Sequence, residues 1–568
     1  QLQYTKKLIF SALENQDCQY EEIVDELRNE LGITAPLINV LINYVTKGTQ
    51  ELEIDDLTLT PYESDDITAK FDLMFVIEKS EDNYAFQIEY ATEMFSPETI
   101  TQLGNRFITL LDIIINNAEL KLEQLSIPLN NQERAIYAKV SNDRKSDSEK
   151  PLWKYFEESA LQNSDKIAIK EGRKQLTYAQ LLEEADILYT HLVNSGVNRG
   201  SRVSLVLDSG IEQIVAILAV LKAGASYVPI DSSFPQERIR YILKDSQSVG
   251  IITNKEYEGH YREEIDKIWN IDYIKEKASS CVDADEKICI NDEAYVIYTS
   301  GTTGKPKGVS VSGKSILRIA YDMNFMSISA GDCILKLANF SFDASIFEIF
   351  TALLNGGYCL CVSKEGLLDL DAFKALIDSQ KIHAAFFTTA FFNLIVDFNV
   401  DLLKGIDFIL IGGEALSVRH MKKALEVVGS NHLINVYGPT ETTVFATYYP
   451  VNDIADNAAS IPIGHAITDT QLYVLDTSNR LLPSGIPGEL CIGGSGVSNG
   501  YINDPERTKQ HFQTLSFDTS VEGERIYHSG DRVIMREDGE IIYLGRIDSQ
   551  VKINGFRIEL GEIERYFK

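Results

Sequence analysis

The sequence predicts an α/β protein built on parallel sheets, with a smaller α+β block ahead of it and a small β unit near its end. Three observations carry that expectation. From residue 153 to about 548, helix-spaced segments alternate with short apolar runs, as in Arg202-Val-Ser-Leu-Val-Leu207, then 211–223, then Tyr227-Val-Pro-Ile230. That alternation is the sequence of βαβ units. Before residue 130, strand-like segments alternate apolar and polar residues among helical patterns. After about residue 450 the texture turns to short strands with Gly/Pro turns, as in Leu472-Tyr-Val-Leu-Asp476 and Pro487-Gly-Glu-Leu-Cys-Ile-Gly-Gly494.

In order along the chain, Tyr20–Leu31 has helical spacing, while 52–61 and 69–77 alternate as strands. Tyr84–Tyr90 reads as another strand and 97–118 as a long amphipathic helix. Residues 1–128 form this first block. Residues 129–152 are poor in apolar side chains and read as a linker lying across a surface. The α/β region follows over 153–548, and 549–568 opens something further. The chain starts at Gln1 without Met and stops inside helix-like Glu562-Ile-Glu-Arg-Tyr-Phe-Lys568, so an origin in a longer chain is expected.

At 568 residues the chain exceeds a single core. A formal net charge of −31 argues against a nucleic-acid partner, which calls for a basic face. No apolar run approaches the roughly 20 residues of a membrane span; 214–221 ends at Lys222-Ala-Gly and reads as a buried helix. Cysteines 18, 281, 289, 333, 359, 361 and 491 are odd in number and scattered, which suggests reduced thiols and a cytoplasmic location. Cys359 and Cys361 share one face of a strand; core packing is the expected reading over a metal pair, since no His or second Cys pair lies near.

The most informative stretch is Tyr298-Thr-Ser-Gly-Thr-Thr-Gly-Lys-Pro-Lys-Gly308, which packs four aliphatic hydroxyls, three glycines and two lysines into eleven residues. Glycines let backbone N–H groups turn inward, and hydroxyls and lysines add donors and charge, which suits a polyphosphate. It is no Walker A loop: Gly301 and Gly304 lie too close together, and Lys305 precedes a proline. Read alone, it could also be a solvated surface loop.

Further motifs follow in order: Leu176-Thr-Tyr-Ala-Gln-Leu181, Leu221-Lys-Ala-Gly-Ala-Ser-Tyr-Val-Pro-Ile-Asp231, Phe342-Asp-Ala-Ser-Ile-Phe347, Gly412-Gly-Glu414, Asn435-Val-Tyr-Gly-Pro-Thr-Glu-Thr-Thr443, Tyr527-His-Ser-Gly-Asp531 and the run from Gly545 to Glu564. With the loop at 298–308, the set resembles the adenylation domain of a nonribosomal peptide synthetase over about residues 150–568. Residues 1–130 resemble the end of a condensation domain, without that domain's His-His-x-x-x-Asp-Gly motif. The resemblance implies an adenylate-forming core of two parallel-sheet α/β subdomains and a small β-barrel-like unit. A truncated C-terminal subdomain would follow.

It also implies a reaction: amino acid plus ATP, with Mg²⁺, giving aminoacyl-AMP for transfer to the phosphopantetheine thiol of a partner carrier domain. By resemblance Thr299, Ser300, Gly301, Thr302, Thr303, Gly304 and Lys307 would hold the outer phosphates, Glu441 the Mg²⁺, and Thr440 the α-phosphate. Thr299, Lys307 and Glu441 are the expected catalytic groups. Tyr437 would stack on adenine near Gly412, Gly413 and Glu414, with Asn435, Gly438, Tyr543 and Arg546 around the nucleotide and Asp531 on the ribose hydroxyls. Asp343 would pair with the α-ammonium, and Asp548 would be the hinge. The side-chain pocket would be Ala344, Phe347, Phe386, Leu410, Gly412, Val436, Val444 and Phe445. Those residues are apolar throughout, so a branched aliphatic amino acid is expected: isoleucine, then valine or leucine.

The family's second catalytic lysine lies beyond Lys568, so slow adenylation by this stretch is a further expectation. The partners expected are the carrier domain, the rest of the condensation domain and neighbouring synthetase domains. Two alternatives stand beside this reading: an acyl- or aryl-CoA ligase, which Asp343 disfavours, and a docking platform without catalysis.

Overall fold

A computed structural model of the chain describes all residues except 1, 18–19, 32–37, 47–67, 81–82, 143–149, 275–286, 302–304, 322, 364–365, 368, 518–522, 549, 554–555 and 560–568. The strand expected at 52–61, Cys18 and Cys281 lie outside the described residues, as do Thr302, Thr303 and Gly304 of the glycine-rich loop. The chain divides into two compact units, Gln1–Pro128 and Leu129–Lys568.

In the first unit, strand Val40–Thr46 runs parallel to Leu73–Lys79, which pairs antiparallel with Tyr84–Tyr90. The strand expected at 69–77 thus begins at Leu73 and runs to Lys79. Helix Pro97–Asn116 opens as its sequence dictates. Ser96 accepts the Thr99 N–H, and Pro97 sits in the first turn, where its missing N–H costs nothing. On that helix Phe107 packs with its ring 5.6 Å from both Phe75 and Phe86 of the sheet.

In the second unit, the segment read as a linker contains a regular element. Within 129–152, residues Asn131–Val140 form a helix, closed by a reciprocal cap between Asn130 and Glu133. Its Ile136, Tyr137 and Val140 are buried with Leu472, Val474 and Leu490 of the small β unit. Polar composition hid a three-residue apolar stripe at helical spacing. The Tyr137 hydroxyl lies 2.7 Å from the Leu482 carbonyl and 3.2 Å from that of Val474. Tyr137→Phe leaves both acceptors without that donor and is expected to cost about 1 kcal/mol, read as a lowered melting temperature.

Two large sheets follow. The seven-stranded sheet runs Gly500–Tyr501, Lys307–Ser312, Glu293–Thr299, Ser226–Pro229, Arg202–Val206, Gly250–Thr253, Ile268–Asn270, parallel from the third strand onward. The nine-stranded sheet holds Leu433–Tyr437, Ile406–Gly412, Ile382–Thr388, Cys333–Lys336, Tyr358–Cys361 and Ile167–Glu171 as a parallel centre, with antiparallel strands at its edges. Strands buried on both faces explain the near-continuous apolar runs of the sequence. Cys333, Cys359 and Cys361 are buried here as core residues. A five-stranded antiparallel sheet, with Glu524–Met535 paired to three neighbours, forms the small β unit. Among the described residues no helix is long and apolar enough to cross a membrane.

Candidate active site

Parallel strands collect their following loops on one edge, and ligands bind there. In the nine-stranded sheet, strands Cys333–Lys336, Ile382–Thr388, Ile406–Gly412 and Leu433–Tyr437 end at Lys336, Thr388, Gly412 and Tyr437. The residues at or just after those ends, Leu337, Thr388, Gly413 and Gly438, all line one cavity of about 310 Å³. Two further cavities adjoin it, of about 240 and 460 Å³. Gly413 and Gly438 border all three; Asp343 borders the first two, and Asp531, Arg546 and Gln550 the last two. Gly413 has φ +96°, a backbone that side-chain-bearing residues avoid, and a Cβ on Gly438 would lie 2.5 Å from the Val444 carbonyl.

The glycine-rich loop joins strands Glu293–Thr299 and Lys307–Ser312, an antiparallel pair that sets Thr299 opposite Lys307. Thr299, Ser300 and Thr440 line the 240 Å³ cavity. The buried Thr299 hydroxyl oxygen has no hydrogen-bond partner among the described residues. The Lys307 ammonium lies 2.9 Å from Glu441 Oε1 and 3.2 Å from the Tyr501 hydroxyl, which itself donates to Glu441 Oε1 at 2.8 Å. Glu441 is fully buried and Lys307 only 8% exposed. A buried ammonium needs a buried counter-charge, so two groups expected to meet phosphate and metal separately are here a pair. Tyr501 escaped sequence reasoning, because only the pairing of Val309 with Tyr501 brings it in.

The 460 Å³ cavity is lined by Gly413, Glu414, Asn435, Tyr437, Gly438, Asp531, Tyr543 and Arg546. The Tyr437 hydroxyl donates to Asp531, and Arg546 meets the other Asp531 oxygen at 3.0 Å. Burial, then the charge of Asp531, pushes the Tyr437 hydroxyl well above the usual phenol range. Arg546 also holds Asp548 at 2.6 Å, just past the end of its strand. Thr389, which the sequence left unnoticed, donates to the carbonyls of Gly412 and Glu414 at 3.1 Å and pins that turn. His528 bridges Glu489 at 3.0 Å and Cys491 at 3.3 Å. Glu489 in turn accepts the Gly530 N–H at 2.9 Å, steadying the turn that carries Asp531.

Among the described residues, the 310 Å³ cavity is apolar but for Asn339, Thr388 and Asp343, and Asp343 is the one charged residue lining it. Of the expected pocket residues, Ala344, Phe386, Val436, Val444 and Phe445 line it; Phe347, Leu410 and Gly412 do not. Phe347 and Leu410 lie fully buried behind the wall, with the Phe347 ring 5.2 Å from that of Phe445, and Gly412 packs on Val436. Leu410 pairs with Phe386 and Gly412 with Val436, so they share the sheet face of two lining residues, and which side chain reaches the cavity is decided by packing that position-by-position comparison does not show. Phe342, Leu367, Phe387 and Phe391 join the lining instead.

Behind it, the buried Glu348 carboxylate accepts the N–H groups of Leu337 and Ala338 at 3.1 Å. Burial, opposed by Lys336, pushes its pKa up to about 7 from 4.5. A raised carboxyl pKa favours the folded state at low pH. That stability is present below about pH 4.5 and lost as pH rises through about 7. Glu348→Gln is therefore expected to flatten the fall in melting temperature between about pH 5 and 8.

An apolar cavity bordered by a carboxylate, a hydroxyl-lined junction and a carboxylate–tyrosine cavity thus adjoin one another at this edge. Comparison with known proteins gives the family. The AMP-binding enzyme family matches residues 156–502, and the condensation domain family residues 1–137. The chain is 42% identical to bacitracin synthase 1 of Bacillus licheniformis over 74% of its own length, and 32% identical to gramicidin S synthase 2 of Brevibacillus brevis over 98%. It spans only 8% and 12% of those relatives' lengths. A solved four-domain nonribosomal peptide synthetase, bound to AMP and glycine, superposes with TM-score 0.82 at 28% identity, covering 99% of this chain and 43% of that one. The chain belongs to the AMP-binding enzyme family, as a nonribosomal peptide synthetase adenylation domain preceded by a condensation-domain segment.

Proposed function

We propose that this chain selects a branched aliphatic amino acid, isoleucine first and then valine or leucine, and activates it with ATP as the aminoacyl-AMP. The observation that carries the reading is the row of three cavities meeting at Gly413 and Gly438. Their linings suit, in order, an apolar side chain, a carboxylate meeting a phosphate, and a nucleoside. Asp343 faces both the side-chain cavity and the junction, where an α-ammonium would lie. Asp531 and Tyr437 suit a ribose, since a carboxylate accepts well from two hydroxyls.

In the reaction a carboxylate oxygen attacks the α-phosphorus, the bond to the bridging oxygen breaks, and pyrophosphate leaves. Thr299 and Thr440 bring hydroxyl donors to the junction, and the unpartnered Thr299 hydroxyl fits a phosphate acceptor. Glu441 offers the oxygen donor that a hard cation takes, and Mg²⁺ held there would neutralise phosphate charge. The acyl group would then pass to the phosphopantetheine thiol of a carrier domain. Adenylation–carrier proteins among the solved relatives support that partner. ATP–pyrophosphate exchange across the twenty amino acids tests the proposal. Exchange with Ile, Val or Leu is expected. Exchange confined to acids without an amino group would overturn it.

A further inference from the structure

We infer that Arg318 is a positioning residue that shapes the amino-acid pocket by holding the Thr442–Phe445 turn from beneath. The inference rests on the reading that the apolar cavity receives the substrate side chain. Arg318 lies in helix Gly313–Ala320, which follows the glycine-rich hairpin, and is only 2% exposed. One terminal nitrogen of its guanidinium donates to the Thr470 hydroxyl at 2.5 Å. The other donates to three carbonyls of one turn: Thr442 at 2.7 Å, Phe445 at 2.7 Å and Thr443 at 3.2 Å. Burial lowers its pKa only to about 10, so the fork stays charged at neutral pH.

That turn needs holding. Thr443 and Val444 both have φ 62°, a left-handed backbone that β-branched residues resist. Such a backbone persists only where its surroundings over-determine it. Here the Thr443 hydroxyl donates to the Gly496 carbonyl at 2.8 Å, and Arg318 donates to the turn's own carbonyls. The turn's products are the pocket walls: Val444 and Phe445 line the 310 Å³ cavity, and the Phe445 ring lies 5.6 Å from that of Phe386. A lysine keeps the charge but lacks the planar fork that spans several acceptors. Glu441, at the start of the same segment, is held separately. The Ser498 N–H donates to its carbonyl at 2.9 Å, and Lys307 and Tyr501 hold its carboxylate. Loss of the fork therefore falls on the amino acid and not on ATP.

A second perturbation leaves Arg318 in place. A Cβ on Gly496 would lie 2.2 Å from the Arg318 guanidinium carbon, so Gly496→Ala must displace the fork.

The test compares wild type, Arg318→Lys and Gly496→Ala by ATP–pyrophosphate exchange, by hydrogen exchange of the 443–446 amides, and by melting temperature. In both variants the KM for the preferred amino acid is expected to rise at least about tenfold, while the KM for ATP moves less than about threefold. Discrimination among Ile, Val, Leu and Phe should fall, and the turn amides should exchange at least about tenfold faster. A lower melting temperature with unchanged amide exchange and selectivity would make Arg318 a stabilising core residue and overturn the inference. The readouts separate its failure from that of the functional reading. A wild type without amino-acid-dependent exchange sinks the reading, and the turn amides then decide the role of Arg318 by themselves.

Discussion

Asp343→Ala is expected to lower amino-acid-dependent ATP–pyrophosphate exchange by roughly 10²–10⁴-fold, the equivalent of about 3–5 kcal/mol for an ammonium left without its counter-charge in a buried site. Among the described residues Asp343 is the one charged group lining the apolar cavity, and it also borders the junction cavity. It directly precedes helix Ala344–Leu354 but makes no capping hydrogen bond to it, so truncation should spare the helix. The melting temperature of the variant should therefore stay near wild type while exchange collapses. Asp343→Asn keeps the shape and removes the charge, and should lose nearly as much. An unchanged rate in either variant would refute the ammonium role and revive the reading of a ligase for acids without an amino group.

Lys307→Met should act on stability and activity together. Glu441 has no exposed surface, and its Oε1 is shared by Lys307 and Tyr501. Removing the ammonium strands a buried carboxylate, at a cost of about 3–5 kcal/mol. The double variant Lys307→Met with Glu441→Gln removes both charges and should regain much of that stability. It should not regain exchange, because the cation proposed to meet phosphate and the carboxylate proposed to meet the metal are then both gone. Thermal unfolding and exchange of the single and double variants form one cycle. Additive stability losses would mean that the two groups do not act as a pair.

Much of the fold was legible because its elements advertise themselves locally. Segment 211–223 and the apolar runs on either side of it read as a βαβ unit, and Ile211–Lys222 is the buried helix between strands Arg202–Val206 and Ser226–Pro229. Ser96-Pro97 announces the start of its helix. The helix at Asn131–Val140 escaped notice because its apolar stripe is short and its stability comes from the β unit it packs on. In the pocket, Phe386 and Phe445 line the cavity while Phe347, equally aromatic, lies behind them.

By itself, the sequence determined the order of motifs, and with it the family, the glycine-rich loop and the carboxylates available to a site. Each is a local pattern of residue types, readable without knowing what lies across from it. Only the tertiary structure decided which of these groups meet. Lys307 pairs with Glu441 across 134 residues, and Tyr437 with Asp531 across 94. The reason is physical. Sheet order sets which loops share an edge, and burial then obliges each charge or hydroxyl there to find a partner, however distant along the chain.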